Sequence, residues 1–146
     1  WRLGYLIAPR ELIAQMTPIQ QNFLICAPSV SQVAAIHALK CHQETQDMLK
    51  IYDERRNFIV SRMNEIKGIS CLKPQGAFYV FVNIKDLGIP SLDFSIQLLE
   101  QAHVATCPGV SFGTNGEGFV RFSYATDLER IKIGLNRMEQ FIIQNF

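Results

Sequence analysis

A chain of 146 residues with 48% apolar content is long enough to bury a substantial core, as one ordinary domain or as a small domain carrying pieces of a neighbour. A formal net charge of +1 excludes the strong positive field of a nucleic-acid or membrane-surface binder and leaves small molecules and proteins as the partner classes. No apolar run approaches the roughly 20 residues that span a bilayer. Cys26, Cys41, Cys71 and Cys107 form no CxxC pair and have no ligand spacing with His37, His42 or His103. Buried free thiols in a reducing, cytoplasmic setting are therefore expected, without disulfides or a metal centre.

In chain order, Leu3 to Ala8 read as a short buried strand ended by Pro9. The opening WRLGYLIAPREL has no initiator methionine and no basic-then-apolar leader layout, so the chain is expected to begin inside a longer one. MTPIQQNFL predicts a helix with Thr17 as N-cap and Pro18 at its first position. Ser29 and Gln32 have the spacing of a capping box for a helix through Val33, Ala34, Ile36 and Leu39. Polar Cys41 to Asp47 is expected to separate this from a longer helix, in which Met48, Tyr52, Ile59, Met63 and Ile66 recur at helical spacing until Gly68 stops it. This places a domain boundary between residues 1–42 and residues 43–146.

Beyond the boundary, strand-like and helical segments alternate: AFYVFVNI, FSIQLLEQA, VATCP, FVRFSYA and LERIKIGLNRMEQFII. In the last helix Thr126 and Glu129 have capping-box spacing, and Leu128, Ile131, Leu135, Met138 and Ile142 share a face. The fold class is α/β, a sheet covered by helices.

The segment FVRFSYA alternates faces, so Val120, Phe122 and Tyr124 point one way and Phe119, Arg121, Ser123 and Ala125 the other. A guanidinium beside Phe119 has the fork geometry to hold a carboxylate by two parallel hydrogen bonds. Pairing with an internal Asp or Glu at a sheet edge is the simpler alternative. Before this segment, Gly109, Gly113, Gly116 and Gly118 crowd a loop that lacks the GK[ST] ending of a P-loop and leads into a strand. The glycines are therefore read as turn residues, with Asn115 and Gly116 in a tight turn.

WRLGY at the start, IYDERRNFIVSRMNEIKG, PQGAFYVFVNI and VATCPGVSFGTNGEGFVRFSYA occur in an order that resembles the C-terminal part of a class I, fold-type I aminotransferase dependent on pyridoxal 5′-phosphate. The most specific pieces are the run Pro74 to Tyr79 and the run Pro108 to Ser123. The resemblance implies that residues 1–42 are the C-terminal edge of a large cofactor domain and 43–146 a small domain that closes on substrate. It assigns Arg121 to the α-carboxylate of an amino-acid substrate, Phe78 to a pocket wall or to core packing, and Arg2 to the cofactor phosphate. The lysine that bonds the cofactor belongs upstream of Trp1, since Lys40, Lys50, Lys67, Lys73, Lys85 and Lys132 have no matching context. The implied reaction moves an amino group from an amino acid to a 2-oxo acid in a homodimer, with this chain inactive alone. A carbon–sulfur lyase of the same fold and a non-catalytic binding module remain as alternatives.

Overall fold

Pro9 begins the first regular element: its carbonyl accepts from the N–H groups of Leu12 and Ile13, both at 3.1 Å, and opens helix α1, Arg10–Leu24. The computed structural model describes residues 1–146 and divides them into two units, Trp1–Asp47 and Met48–Phe146. In the first unit the sequence expectations need three corrections. Residues 1–9 form no strand; a strand needs a laddered neighbour for its backbone groups, and the one sheet of the chain is built from residues of the other unit.

Second, α1 runs through Pro18 instead of starting there. Pro18 lacks the N–H that would bond the Ala14 carbonyl. Thr17 does not cap; its hydroxyl donates to the Ile13 carbonyl at 2.8 Å, one turn back. Third, α2, Ser29–Ala38, does start at Ser29, but Pro28 is the residue before the first turn and the Gln32 amide donates to the Ala27 carbonyl at 2.8 Å, so no capping box closes. These two helices leave Phe23, Leu24, Val33 and Ile36 exposed, as is Leu39 just after α2.

Helix α3 runs His42–Glu65, so the polar stretch predicted as a separator is its first turns; Thr45 stabilises them by donating to the Cys41 carbonyl at 2.7 Å. Its far end stops before Gly68, whose φ of 88° is in the left-handed region. In the second unit, β1 (Ser70–Cys71), β2 (Tyr79–Asn83), β3 (Cys107–Pro108) and β4 (Phe119–Ser123) form an antiparallel sheet in the order β1-β2-β4-β3. The β2–β4 register pairs Tyr79 with Ser123, Phe81 with Arg121 and Asn83 with Phe119. Because side chains alternate, Val80, Val82, Val120 and Phe122 all enter the core.

That inner face packs with Ile59 and Met63 of α3, Phe94 and Leu98 of α4 (Ser91–Ala102), and Ile131, Leu135, Met138, Phe141 and Ile142 of α5 (Leu128–Asn145). Phe94 and Phe141 meet edge to face with centroids 5.7 Å apart. Burying a side chain such as Phe94 contributes about 2–3 kcal/mol. Arg62 of α3 donates two hydrogen bonds to Glu139 of α5, and that contact raises the guanidinium pKa. The cap of α5 is Asp127, not Thr126. Asp127 is extended, with ψ 156°, which aims its carboxylate at the Arg130 N–H 2.8 Å away, while Glu129 pairs instead with Lys132 at 2.7 Å. Only Cys71 is a buried thiol, pushed up to about 11 by burial; Cys26 is exposed and Cys41 and Cys107 are half-buried.

The glycine-rich loop owes two of its glycines to packing. Gly109 and Gly116 cross so closely that a Cβ on Gly109 would lie 2.0 Å from the Gly116 carbonyl oxygen, and a Cβ on Gly116 2.0 Å from that of Gly109. Gly113 and Gly118 serve the backbone, with φ of 113° and 79°. Gly109→Ala and Gly116→Ala should each destabilise by about 3 kcal/mol or more, since backbone must move to admit the methyl. Gly134→Ala, inside α5 with nothing within 4 Å of its Cβ position, should stabilise by about 1 kcal/mol. Urea unfolding of the three variants checks both signs, and equal effects from all three would contradict the close crossing.

Candidate functional site

The alternation that fills the core from one side of the sheet leaves the other side lined by Tyr79, Phe81, Phe119 and Arg121. Phe81 and Phe119 stack with centroids 5.1 Å apart and planes 3° from parallel. Phe112, at the end of the turn Gly109–Phe112, meets Phe81 edge-on at 6.1 Å. The Arg121 guanidinium carbon lies 4.2 Å from the Tyr79 ring centroid and 4.8 Å from that of Phe112. No Asp or Glu pairs with it, and its Nε is buried without a hydrogen-bond acceptor in the protein. The internal ion pair that was the simpler expectation for Arg121 does not form. A half-buried planar cation with unused donors can take an anion whose oxygens match the fork, a carboxylate above all.

Phe78 precedes β2 and is 40% exposed, so it is not a core side chain. Its ring lies 4.4 Å from Tyr79 and 6.2 Å from Tyr52. Phe78 and Arg121 are thus both neighbours of Tyr79. The segment before β2 is held at several points: Tyr124 donates its N–H to the Phe78 carbonyl and its hydroxyl to the Ala77 carbonyl, each at 2.9 Å, and Arg56 donates to the Pro74 carbonyl at 3.1 Å. Ala77 takes a left-handed φ of 60°, unusual for a residue with a side chain, and these bonds hold it there. Burial raises the Tyr124 hydroxyl pKa.

The glycine loop on the other side is anchored through a carboxylate. Pro90 gives α4 no side-chain cap, and the vacant N–H of Ser91 donates to Glu117 at 2.7 Å. The Ser91 hydroxyl donates to the same carboxylate at 3.0 Å and the Gly118 N–H at 2.9 Å. The Ser91 N–H, then that of Gly118, hold the Glu117 carboxyl below its usual range. Sequence reading missed Tyr79, Phe112 and Glu117. The β2 alternation could have put Tyr79 beside Arg121; nothing in the sequence signals that Glu117 caps a helix 26 residues earlier.

Arg2 belongs to the other unit, where it is exposed with a left-handed φ of 57°. Of the lysines, five are exposed, and half-buried Lys132 is engaged by Glu129. Lys85 lies along Gly118 with its amine 4.8 Å from the Phe119 ring centroid. No group of His, Cys, Asp and Glu is arranged to hold a metal ion, and no helix is long and apolar enough to cross a membrane.

Residues 1–138 match the family described as aminotransferase class I and II. The chain belongs to this family. An aspartate aminotransferase of Pyrococcus horikoshii is 42% identical over 143 residues, which cover 96% of this chain and 37% of that protein. An aromatic-amino-acid aminotransferase of Thermococcus litoralis is 40% identical over 97% of this chain and 37% of its own length. The crystal structure of an aromatic aminotransferase from Pyrococcus horikoshii superposes with a TM-score of 0.91 at 41% identity, over 99% of this chain and 39% of that one. The chain therefore has the fold of a portion of these pyridoxal-phosphate-dependent enzymes and spans a little over a third of their length.

The anchored carboxylate predicts an acid response of this aminotransferase segment. A carboxyl with a lowered folded pKa contributes stability that is present above its unfolded value, near 4.5, and disappears as pH falls through the folded value. Wild type and Glu117→Gln should therefore differ in unfolding free energy at pH 7, with the gap closing below about pH 4.5. Parallel denaturation curves from pH 7 to pH 3 measure it, and a gap independent of pH would remove Glu117 from the explanation.

Proposed function

We propose that the full-length polypeptide carrying this segment transfers an amino group from an amino acid to a 2-oxo acid, and that Arg121 binds the α-carboxylate common to its substrates. The observation that carries the reading is a guanidinium on the open face of the sheet with no internal carboxylate and a buried Nε without an acceptor. Leaving a buried donor unsatisfied costs about 1–3 kcal/mol, a penalty that a bound carboxylate removes. Pyridoxal phosphate, when bound, supplies the electron sink for the reaction. This chain's part is to bind the substrate carboxylate, set the angle of the amino acid and wall the site with Phe78.

In this reading residues 1–42 complete the large cofactor domain, and Arg2 contributes to the phosphate site. The apolar side chains left open on α1 and α2 suit an edge that the rest of that domain covers. Residues 43–146 are the small domain that moves with substrate binding, and the working enzyme is a homodimer. The relatives are named for aspartate and for aromatic donors, so family membership does not choose the side chain.

Two outcomes test the proposal. In the full-length protein, Arg121→Ala should lower kcat/KM for every amino donor by about 30- to several-thousand-fold, the equivalent of about 2–5 kcal/mol for a charge-assisted contact, with Arg121→Lys recovering only part. Wild-type kcat/KM with a lowered thermal midpoint would instead make Arg121 structural. The 146-residue chain alone should show no turnover, and pyridoxal phosphate trapped on it by borohydride should spread over surface lysines. A single stoichiometric adduct with turnover contradicts this.

A further inference from the structure

The Arg121 guanidinium lies against two rings, and they come from different parts of the unit. Tyr79 is fixed in the β2–β4 ladder opposite Ser123 and backed by Phe78 at 4.4 Å. Being two residues along from Phe81, the direct partner of Arg121, it is the diagonal neighbour of Arg121 on the open face. Phe112 ends the turn Gly109–Phe112 and is followed by Gly113, at φ 113°, in the loop that Glu117 ties to the start of α4. Its side chain is exposed at 53%, yet its ring lies against the guanidinium and meets Phe81.

An internal carboxylate would orient the guanidinium by using the donors that a substrate needs. Aromatic rings attract the cation through their π-electrons and accept none of the strong in-plane hydrogen bonds. We infer that Tyr79 and Phe112 are positioning residues that aim the Arg121 guanidinium while leaving its N–H groups for a carboxylate; this rests on the clamp role proposed for Arg121. Through Phe112 the orientation of the clamp also depends on the seating of the glycine loop.

The test uses the full-length enzyme with Tyr79→Leu, Phe112→Leu and Tyr79→Phe, each in the wild-type and the Arg121→Ala background. Two quantities are read: KM for at least two amino donors of different side chain, and the inhibition constant of propionate, an unreactive carboxylate. Each leucine variant should raise both by about the same factor, about 3- to 30-fold as expected for loss of a cation–π contact, with kcat changed much less. Tyr79→Phe keeps the ring and should show a smaller rise than Tyr79→Leu. In the Arg121→Ala background the ring variants should add almost nothing, because they act through the guanidinium. Leucine effects that persist undiminished in that background show that the rings merely pack, and overturn the inference. So do leucine variants with wild-type KM and propionate inhibition alongside a disabled Arg121→Ala. An Arg121→Ala enzyme with undiminished kcat/KM overturns the clamp reading itself. Should Tyr79→Leu fail to fold, Phe112→Leu, at an exposed position, decides between these outcomes.

Discussion

The register between β2 and β4 is the constraint from which the rest of the second unit follows. Val80 opposite Phe122 and Val82 opposite Val120 are all buried, and this puts Phe81 opposite Arg121 on the other face. A slip of β4 by one residue would send the Arg121 guanidinium into the core and Val120 and Phe122 out of it. Placing an unpaired charge among Phe94, Leu98 and Met63 would cost several kcal/mol before the lost burial is counted. The hydrophobic core thus enforces the position of the polar group that the candidate site depends on. Stability and site geometry are here consequences of one pairing.

The loop that precedes β4 is held by a second set of constraints independent of side-chain burial. Gly109 and Gly116 bring two backbone segments together where no Cβ fits. Glu117 then completes the first turn of α4 in place of a local cap. An exposed carboxylate can do this because it accepts from three donors already gathered by the chain path. The same junction sets where Phe112 stands against Arg121. A helix start, a glycine crossing and an aromatic contact to a cation are therefore mechanically joined, although each looks local in the sequence.

Much of this was legible in the sequence, and the failures have physical causes. The face alternation of β4, the apolar face of α5 and the stop at Gly68 all follow from short-range rules, and all hold in the structure. The family was legible because four segments kept their order and spacing. The N-terminal strand was not, because a strand is a pairing and the apolar run Leu3 to Ala8 says nothing of its partner. The start of α5 went wrong by one residue where two candidate caps stood side by side, Asp127 and Thr126, and that of α1 by two turns because Pro18 was read as a first position when the helix runs through it. Which carboxylate leaves Arg121 free, and which one caps α4, are facts of three dimensions.

A sheet usually neutralises a half-buried arginine with an acidic neighbour across the ladder, and the cross-strand positions here could have supplied one. Phe81 and Cys107, the two residues paired with Arg121, carry no charge. The open face therefore concentrates positive potential against a low-dielectric aromatic surface, where a Coulombic attraction is stronger than it would be in water. Such an arrangement lowers the stability of the free protein relative to an internally paired one, since the Arg121 Nε gains nothing from burial. In the proposed reading an external anion completes the pair. In that reading of Arg121 as a clamp, local stability given up at a single side chain is what lets the outer face of an ordinary antiparallel sheet select a carboxylate.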